Sequence, residues 1–350
     1  MIIAIICGGR SVEHKVSLQS AVSIAKYLGF SSHQVLMVGF TEEGRFVSHK
    51  DLILDQHDPI KIRLNDEARE VKFGFQSIDD KKVDVCFSVI HGTGGEDGNI
   101  QGFLNIYQLP FVGADTKTSA LGMDKHFTKM ILESKKIPVT NYEVIYPHRR
   151  APSYQSLISK LGATMLVKPA NLGSSVGISK CNDENSFKQA LALAISYDSK
   201  VLVEKFIDGK EIEVAVLGHP GELIISSPSE IITNHSFYSY QAKYIDKGST
   251  KTLISANIDA KVKKVITGLA GDIYEVLDCR GLARLDFLFS TADGVVFNEI
   301  NTMPGFTDIS MYPKMMVASG ISYPELLDRL LKLALSYDLA QKSKTTRPPQ

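Results

Sequence analysis

The sequence predicts an α/β protein whose N-terminal part contains a parallel sheet, and three observations lead to this prediction. The apolar run from Ile2 to Ile6 ends at Gly8-Gly9, which is typical of a strand buried on both faces. After an amphipathic segment, a second apolar run covers Val35 to Phe40. The third run, Val83 to Ile90, ends at His91-Gly92. Because strands alternate with helical segments, we expect the loops that follow the strands to lie at one edge of the sheet.

The segment after the first strand predicts an amphipathic helix. Ser17 is the candidate N-cap, and Gly29 is the expected stop. The apolar positions recur at helical spacing and form one stripe, which consists of Leu18, Ala21, Val22, Ala25 and Leu28. The polar stretch from Ser48 to Asp80 has no clear period and receives no assignment.

After Gly113 the pattern changes, and residues 114–203 predict a second compact unit. Its central feature is a loop rich in glycine and serine at residues 169–175, between two short strands. The predicted elements are a helix at Met123 to Lys136, strands at Met165 to Lys168 and Val176 to Lys180, a helix capped by Asp183, and a strand at Val201 to Phe206.

The last part predicts a third unit whose clearest feature is a hairpin. Strands at Leu282 to Phe289 and Val295 to Ile300 are joined through Asp293-Gly294, a dipeptide that favours tight turns. The other expected elements are strands at Glu211 to Leu217 and Leu223 to Ser226, a long polar loop at Thr233 to Thr250, a helix ending near Val276, a final helix with a capping box at Ser322 and Glu325, and a disordered tail from Gln341.

Composition excludes several classes of protein. The 39 Lys and Arg residues balance 39 Asp and Glu residues, so the chain offers no electrostatic reason to bind nucleic acid. The four cysteines lie far apart without a CxxC pair, which predicts small buried side chains in a reducing compartment. No apolar run approaches the length needed to span a membrane. We therefore expect a soluble, cytoplasmic protein without membrane partners.

The predicted hairpin carries a candidate metal site. Strand alternation places Arg284 and Asp286 on one face of the first strand, and Glu299 and Asn301 on one face of the second. Two carboxylates and an amide oxygen that converge there would suit Mg²⁺. The alternative is a solvated sheet face on which Arg284 pairs with a carboxylate.

Two further segments are candidates for nucleotide binding. Lys168 precedes Gly173-Ser174-Ser175, whose N–H and hydroxyl donors could hold phosphate oxygens, although an ordinary loop is the alternative. The segment VLVEKFIDGKE, with Glu204, Lys205 and Glu211, could bind an adenine and a ribose, or it could be a strand with charged ends. The glycine-rich turns after the N-terminal strands do not match the dinucleotide fingerprint, which disfavours a nicotinamide dehydrogenase.

Taken together, these segments resemble the D-alanine–D-alanine ligases of the ATP-grasp superfamily. The resemblance covers Cys7 to Pro313 and rests on long motifs in the family's order. These are GGRSVEHKVS at 8–17, HGTGGEDGNIQG at 91–102, MDK at 123–125, VKPANLGSSVGISK at 167–180, VEKFIDGKE at 203–211, FYSYQAKY at 237–244, ARLDF at 283–287 and NEINTMPGFTDISMYP at 298–313.

The resemblance implies three domains and an ATP-dependent activity. We expect a Rossmann-like substrate domain at residues 1–113, followed by a two-part ATP-grasp fold. Its subdomains would span 114–203 and 204–340, with a lid loop at 233–250 and a tail at 341–350. The implied reaction transfers the γ-phosphate of ATP to the carboxylate of one D-alanine. A second D-alanine then attacks the acyl phosphate and forms the dipeptide, a precursor of peptidoglycan.

The resemblance also implies roles for individual residues. Those expected to bind ATP are Lys125, Lys168, Ser175, Glu204, Lys205, Ile207, Glu211 and Lys243. Those expected to bind two Mg²⁺ ions, with Mn²⁺ as a substitute, are Asp286, Glu299 and Asn301. Those expected at the reacting groups are Glu13, Ser174, Tyr244, Arg284 and the Gly305 amide, with His91 and Ser310 at the substrates.

The sequence leaves two alternatives open. Within the superfamily, the nearest alternative is a ligase that joins D-alanine to D-lactate or D-serine, although the segment FYSYQAKY with Tyr244 favours D-alanine as the second substrate. A non-catalytic nucleotide-binding protein of the same fold is disfavoured because Arg284, Asp286 and Glu299 are all present. The resemblance further implies a homodimer.

Overall fold

The computed structural model describes residues 1–29, 33–49, 69–233, 250–307 and 309–343. These residues form three larger sheets, one small three-stranded sheet and the helices that cover them. The predicted α/β class is therefore confirmed. The interior of the loop at 233–250, including Lys243 and Tyr244, and the tail residues 344–350 lie outside the described residues.

The N-terminal part is built around a central strand with a parallel neighbour on each side. Its elements are β1 (Ile2–Gly8), α1 (His14–Leu28), β2 (Gln34–Phe40), β3 (Phe46–His49), β4 (Phe73–Gly74), β5 (Ser77–Ile78), β6 (Lys81–Lys82), β7 (Val85–Ser88) and α2 (Asn99–Ile106). The larger sheet has the order β3-β2-β1-β7. Ile3 lies opposite Val35 of β2 and Val85 of β7, both in parallel register, as the sequence predicted.

Helix α1 begins at His14, so the predicted N-cap at Ser17 is wrong. Ser17 is buried within the helix. Its hydroxyl donates to the Val89 carbonyl oxygen at 2.6 Å and accepts from the Gly8 amide at 2.8 Å. The side chain therefore satisfies backbone groups at the ends of two strands instead of those at a helix terminus. Gly29 ends the helix as predicted.

The middle part contains an antiparallel sheet with two helices packed on it. Its elements are α3 (Thr116–Met123), α4 (Lys125–Ser134), β8 (Tyr142–Ile145), α5 (Tyr154–Leu161), β9 (Met165–Pro169), β10 (Ser179–Cys181), α6 (Glu184–Tyr197) and β11 (Val201–Lys205). The strand order is β10-β9-β11-β8. The predicted cap of α6 is confirmed, because Asp183 accepts from the Ser186 amide at 2.8 Å.

The helix predicted from Met123 to Lys136 begins later than expected. Helix α3 ends at Met123, and Asp124 caps α4 by accepting from the amides of His126 and Phe127 at 3.1 Å. The carboxylate thus separates two helices. Between residues 99 and 161 the sequence prediction missed α2, α3, β8 and α5. The strand predicted at Val176 to Lys180 also begins later, because β10 covers Ser179–Cys181.

The last part contains a long antiparallel sheet. Its elements are β12 (Lys210–His219), β13 (Glu222–Ile225), β14 (Ser229–Thr233), β15 (Thr250–Leu253), α7 (Ala260–Val276), β16 (Gly281–Ser290), β17 (Gly294–Asn301), α8 (Met311–Ala318) and α9 (Tyr323–Lys342). The order is β15-β14-β12-β16-β17, and β13 pairs with β12. The predicted hairpin is confirmed, with Arg284 opposite Asn301 and Asp286 opposite Glu299.

Helix α9 packs into the core of the N-terminal sheet. Leu326, Leu330 and Leu331 belong to the same buried cluster as Ile3 and Phe87. The predicted cap holds in part, since Ser322 accepts from the Glu325 amide, whereas the Glu325 carboxylate binds Arg329. The helix continues to Lys342, so residues 341 and 342 are helical and the expected start of the tail at Gln341 is wrong.

Two further predictions concern cysteines and membrane segments. Cys7, Cys86, Cys181 and Cys279 are all buried and unpaired with one another, as expected. Burial raises the pKa of Cys7 to about 12, which keeps it a thiol at neutral pH. Across the described ranges, the helices lack the combination of length and apolar character that crossing a bilayer requires.

Candidate active site

The end of the β16–β17 hairpin brings the four predicted polar residues together. Arg284 donates from Nε and Nη2 to the two Asp286 oxygens at 2.8 and 2.7 Å. Asn301 donates from Nδ2 to Asp286 Oδ2 at 3.0 Å. Glu299 lies across the ladder from Asp286. A β-bulge between Asp286 and Phe287 shifts the register beyond this point.

Glu213 on β12 completes this cluster, and the sequence prediction missed it. Its Oε1 lies 3.2 Å from Arg284 Nε. Burial alone would lower the pKa of Arg284, but the carboxylates of Asp286 and Glu213 outweigh burial and raise it. Arg284 therefore remains a cation. The signal in the sequence was the alternation Glu211-x-Glu213, which places both carboxylates on one face of β12.

Lys125 connects the hairpin to the loop at residues 169–175. Its Nζ lies 3.3 Å from Glu299 Oε2 and donates to the Leu172 carbonyl oxygen at 2.8 Å. Lys125 is the first residue of α4, and only 5% of its side chain is exposed. The contact places an ammonium group between a carboxylate and a loop rich in backbone donors.

That loop has an unusual backbone at two serines. Ser174 and Ser175 have φ values of +55° and +56°, in the left-handed region that L-residues seldom adopt. Such a conformation costs roughly 1–3 kcal/mol per residue and is concentrated at ligand sites. It is one of the backbone arrangements that can direct neighbouring N–H groups at an anion.

A buried network of three charged residues lies behind the loop. Glu204 forms ion pairs with Lys168 at 2.7 Å and Lys129 at 2.9 Å, and none of the three side chains is more than 2% exposed. Burial would raise the pKa of Glu204, but the two ammonium groups outweigh it and lower the pKa. The sequence prediction missed Lys129, because nothing in its local pattern separates it from a surface lysine of α4.

These elements enclose a cavity between the middle and C-terminal sheets. Nine of the residues singled out in the sequence line it, namely Lys168, Ser175, Glu204, Lys205, Ile207, Glu211, Arg284, Asp286 and Glu299. Lys205 at its rim pairs with Asp293 of the hairpin turn. The cavity is mixed in character, with cations and carboxylates beside apolar side chains.

A second cavity lies on the N-terminal side of the hairpin. It is lined by Glu13, Glu96, Lys125, Ser174, Glu299 and Asn301, among others. Glu299 and the hairpin are therefore shared between the two cavities. A side chain at Gly92 would approach Glu13 Oε2 to 2.6 Å, and Gly92 has a φ of +69°. Glycine at this position leaves room for the Glu13 carboxylate.

Glu96 is a third residue that the sequence prediction missed, after Glu213 and Lys129. Its oxygens accept from the amides of Gly92 at 2.9 Å and Met303 at 3.2 Å. Burial, and secondly the charge of Glu13, raise the pKa of Glu96 to about 8. The only feature of the sequence that could have identified Glu96 is the position of a carboxylate inside a glycine-rich turn. Its distant partner Met303 is set by the tertiary fold.

His91 connects the N-terminal sheet to the segment after the hairpin. Its Nδ1 donates to the Met303 carbonyl oxygen at 2.9 Å, and its Nε2 accepts from the Ser20 hydroxyl at 3.0 Å; the tautomer is assigned from these partners. Burial lowers the pKa of His91 and favours the neutral ring. His91 does not line either of the two cavities.

Gly305 and Ser310 lie next to each other beyond the hairpin. A side chain at Gly305 would approach Ser310 Oγ to 3.0 Å. The Ser310 hydroxyl accepts from the Thr307 amide at 3.1 Å. Neither residue lines the two cavities. Lys243 and Tyr244 are outside the described residues, so the structure does not place them.

Both halves of the chain match known families. Residues 2–114 match the family described as D-ala D-ala ligase N-terminus, and residues 131–332 match the family described as D-ala D-ala ligase C-terminus. The chain is 41% identical to D-alanine--D-alanine ligase A of Escherichia coli (strain K12), with 98% of each chain covered. It is 39% identical to D-alanine--D-alanine ligase of Proteus mirabilis (strain HI4320), covering 96% of this chain and 95% of that protein.

Solved structures show the same similarity. The D-alanine-D-alanine ligase from Coxiella burnetii has a TM-score of 0.83 and 34% identity, covering 98% of this chain and 97% of that one. The VanG D-Ala:D-Ser ligase from Enterococcus faecalis has a TM-score of 0.85 and 33% identity, covering 95% of this chain and 99% of that one.

The fold and its similarity to these enzymes define an ATP-dependent ligase of the ATP-grasp class. Within this class, the chain belongs to the D-alanine–D-alanine ligase family. The family, fold class and enzyme class predicted from the sequence are confirmed.

Proposed function

We propose that the chain joins two D-alanine molecules to D-alanyl-D-alanine at the expense of ATP, for use in peptidoglycan precursors. The observation that carries this proposal is the position of Glu299 in the walls of both cavities. One cavity contains Lys168 and Ser175, which suit phosphate groups. The other contains Glu13, which suits the ammonium group of an amino acid. A phosphoryl group transferred past the hairpin would therefore pass from a nucleotide to an amino acid carboxylate.

The first cavity supplies most of the groups proposed to bind ATP. Lys168, together with Lys125 of the second cavity and, from the family resemblance, Lys243, would neutralise the phosphate charge. Ser175 would donate a hydrogen bond to a phosphate oxygen. Glu204, Lys205, Ile207 and Glu211 would contact the adenine and ribose. Because each oxygen of Glu204 lies within ion-pair distance of a lysine, we expect Glu204 to act mainly by holding Lys168 in place.

The residues of the hairpin end fit a magnesium site. Asp286 and Glu299 are cross-strand partners, and Asn301 is in contact with Asp286, so three oxygen-bearing side chains converge. No group of three His, Cys, Asp or Glu side chains in the described ranges is arranged to hold a metal alone. We therefore propose that Asp286, Glu299 and Asn301 hold two Mg²⁺ ions, or Mn²⁺, together with phosphate oxygens. The ions would neutralise charge on the transferred phosphoryl group.

The second cavity supplies the groups proposed to bind the amino acids. Glu13 would bind the ammonium group of the first D-alanine, with Ser174 and Tyr244 linked to it as in the family. His91, fixed between Ser20 and Met303, would act through the position of the Met303 segment. Ser310 would contact the carboxylate of the second D-alanine.

The reaction then proceeds in two balanced steps. A carboxylate oxygen of the first D-alanine attacks the γ-phosphorus, and the bond to ADP breaks. The neutral amine of the second D-alanine attacks the acyl carbon, loses a proton, and inorganic phosphate leaves. Arg284 and the Gly305 amide would stabilise the oxyanion formed in the second step, where fixed donors act most strongly.

One experiment tests the activity and its main alternative. ATP-dependent phosphate release is measured with D-alanine, L-alanine, D-serine and D-lactate, and the products are separated by mass. We expect phosphate release when D-alanine is the only amino acid present, with D-alanyl-D-alanine as the main product. Faster product formation from D-alanine with D-serine would favour the activity named for the VanG relative. Phosphate release without any dipeptide would exclude ligation.

Three further proposals concern the domain boundaries, the oligomeric state and the cellular location. We propose domains at 1–113, 114–203 and 204–340, a homodimer, and a cytoplasmic location. Limited proteolysis tests the boundaries, and light scattering tests the dimer. A monomer across the working concentration range would reject the dimer without affecting the proposed reaction.

A further inference from the structure

A buried arginine lies outside the candidate active site, at the entry to β16. Only 6% of the surface of Arg280 is exposed. Within the described ranges, its Nε has no hydrogen-bond partner, and no ion pair involves its guanidinium group. Buried arginines are normally paired with acceptors, because an unpaired buried charge is costly. Burial also lowers the pKa of Arg280, in keeping with this cost.

Two aromatic rings contact Arg280, but they satisfy its charge and not its hydrogen-bond donors. The guanidinium carbon lies 3.4 Å from the centre of the Tyr337 ring and 5.0 Å from that of Phe111. The rings attract the positive charge through their faces. They provide no strong acceptor for the N–H groups that lie in the guanidinium plane.

Arg280 lines a cavity between the N-terminal part and helix α9. The cavity has a volume of 370 Å³, compared with 90 Å³ for the cavity proposed to bind ATP, and falls within the usual range for small-molecule sites. Its polar lining residues are Asn105, Gln108, Arg280, Tyr337, Asp338, Gln341 and Lys342. Asp338 and Lys342 pair at 2.7 Å, so their charges cancel and the cavity keeps the single positive charge of Arg280.

We propose that this cavity binds the carboxylate of a small polar molecule of amino acid or dipeptide size. A carboxylate is planar and can accept two parallel hydrogen bonds from a guanidinium edge. One negative charge matches the net charge of the cavity better than two. The side-chain amides of Asn105 and Gln108 can both donate and accept, which suits the peptide-like groups of such a molecule. These observations do not depend on the function proposed above.

The test uses an NMR signal that reports on Arg280 itself. The protein is labelled with ¹⁵N-arginine, and the Nε–H signal of Arg280 is assigned by its loss in Arg280→Lys. N-acetyl-L-alanine is titrated as the probe, and its neutral methylamide is the matched control. We expect the Arg280 signal to shift with the carboxylate and not with the methylamide, with a dissociation constant of about 1 mM, which corresponds to about −4 kcal/mol.

Two variants and one competing ion complete the test. Arg280→Lys keeps the charge but lacks the planar fork, so probe binding, followed by ligand-detected NMR, should weaken by about ten-fold. Lys342→Ala changes a partly exposed rim residue, leaves Asp338 uncompensated, and should weaken binding by about three-fold. Inorganic phosphate should bind more weakly than N-acetyl-L-alanine. No shift of the Arg280 signal, an equal shift with the methylamide, unchanged binding in Arg280→Lys, or tighter phosphate binding would overturn the proposal.

Discussion

Lys125 Nζ lies 3.3 Å from Glu299 Oε2, and this contact joins the start of helix α4 to the end of strand β17. Glu299 lines both active-site cavities, and Lys125 lines the second of them. The pair thus stands at the boundary between the proposed nucleotide and amino acid sites. Removing the charge of Glu299 should therefore affect the chemistry more than the fold.

Glu299→Gln should leave the protein folded but reduce kcat by about 100-fold or more, because a neutral amide is a weaker metal ligand and charge partner than a carboxylate. The measurement is phosphate release at saturating Mg²⁺, with circular dichroism to confirm the fold. Glu222→Gln, on an exposed position of β13, is the matched control and should retain full activity. Normal turnover in a folded Glu299→Gln protein would remove Glu299 from the reaction.

Glu204→Gln should reduce the free energy of unfolding by about 3–5 kcal/mol, because it leaves the buried ammonium groups of Lys129 and Lys168 without their carboxylate. Urea denaturation measures the difference. Glu184→Gln breaks an exposed pair with Lys188 and should change stability by about 0.5 kcal/mol or less. Equal effects of the two substitutions would show that the Glu204 network is hydrated.

The raised pKa of Glu96 predicts a specific dependence of stability on pH. Because its folded-state pKa is about 8 and its unfolded value is near 4.5, the folded protein binds the proton more tightly. Its contribution to stability is therefore fully present below pH 4.5 and is lost as the pH rises toward 8. The loss is about 1.4 kcal/mol for each unit by which the pKa is raised.

Urea denaturation between pH 5 and 8 tests this dependence. In Glu96→Gln the proton-linked decrease should disappear, whereas the exposed substitution Glu42→Gln should leave the slope unchanged. The same slope in the parent and in Glu96→Gln would mean that Glu96 is ionised throughout this range.

Gly92→Ala should raise KM for D-alanine by about ten-fold and change KM for ATP little, because the added Cβ would lie 2.6 Å from Glu13 Oε2. Gly94→Ala is an informative control. Gly94 also has a positive φ, +83°, but a Cβ added there would have no described atom within 4 Å. It should cost about 1 kcal/mol of stability while KM stays unchanged. Similar KM values for D-alanine in both variants would show that Glu13 does not bind the amino acid.

The extent to which sequence predicts this structure depends on how local the determinants are. The hairpin was predictable because alternation and the Asp293-Gly294 turn lie within a single short stretch of sequence. The helix cap at Asp183 was equally local. Ser17 was misassigned because its hydroxyl bonds Val89, which is 72 residues away. The role of Ser17 therefore depends on the residue after strand β7, which the local sequence pattern around Ser17 does not reveal.

The candidate site residues likewise divide into those with local determinants and those whose partners are distant in sequence. Asp286, Glu299 and Asn301 were predictable as a group because one hairpin carries all three. Glu96 bonds Met303 across 207 residues, and Lys129 meets Glu204 between separate elements. No periodicity encodes these partners. The motifs are local and identify the segments, whereas the partners, the burial and the direction of each pKa shift depend on residues that the tertiary fold brings together.

The placement of helix α9 in the core of the N-terminal sheet has a consequence for biosynthesis. Chains grow from the N-terminus, and early segments often fold before later ones are made. Here β1 and β7 lack the leucines that bury them until residue 331 has left the ribosome. The first sheet of the chain is therefore among the last parts to become complete, and nascent chains that stop short of α9 expose its apolar face to chaperones and proteases.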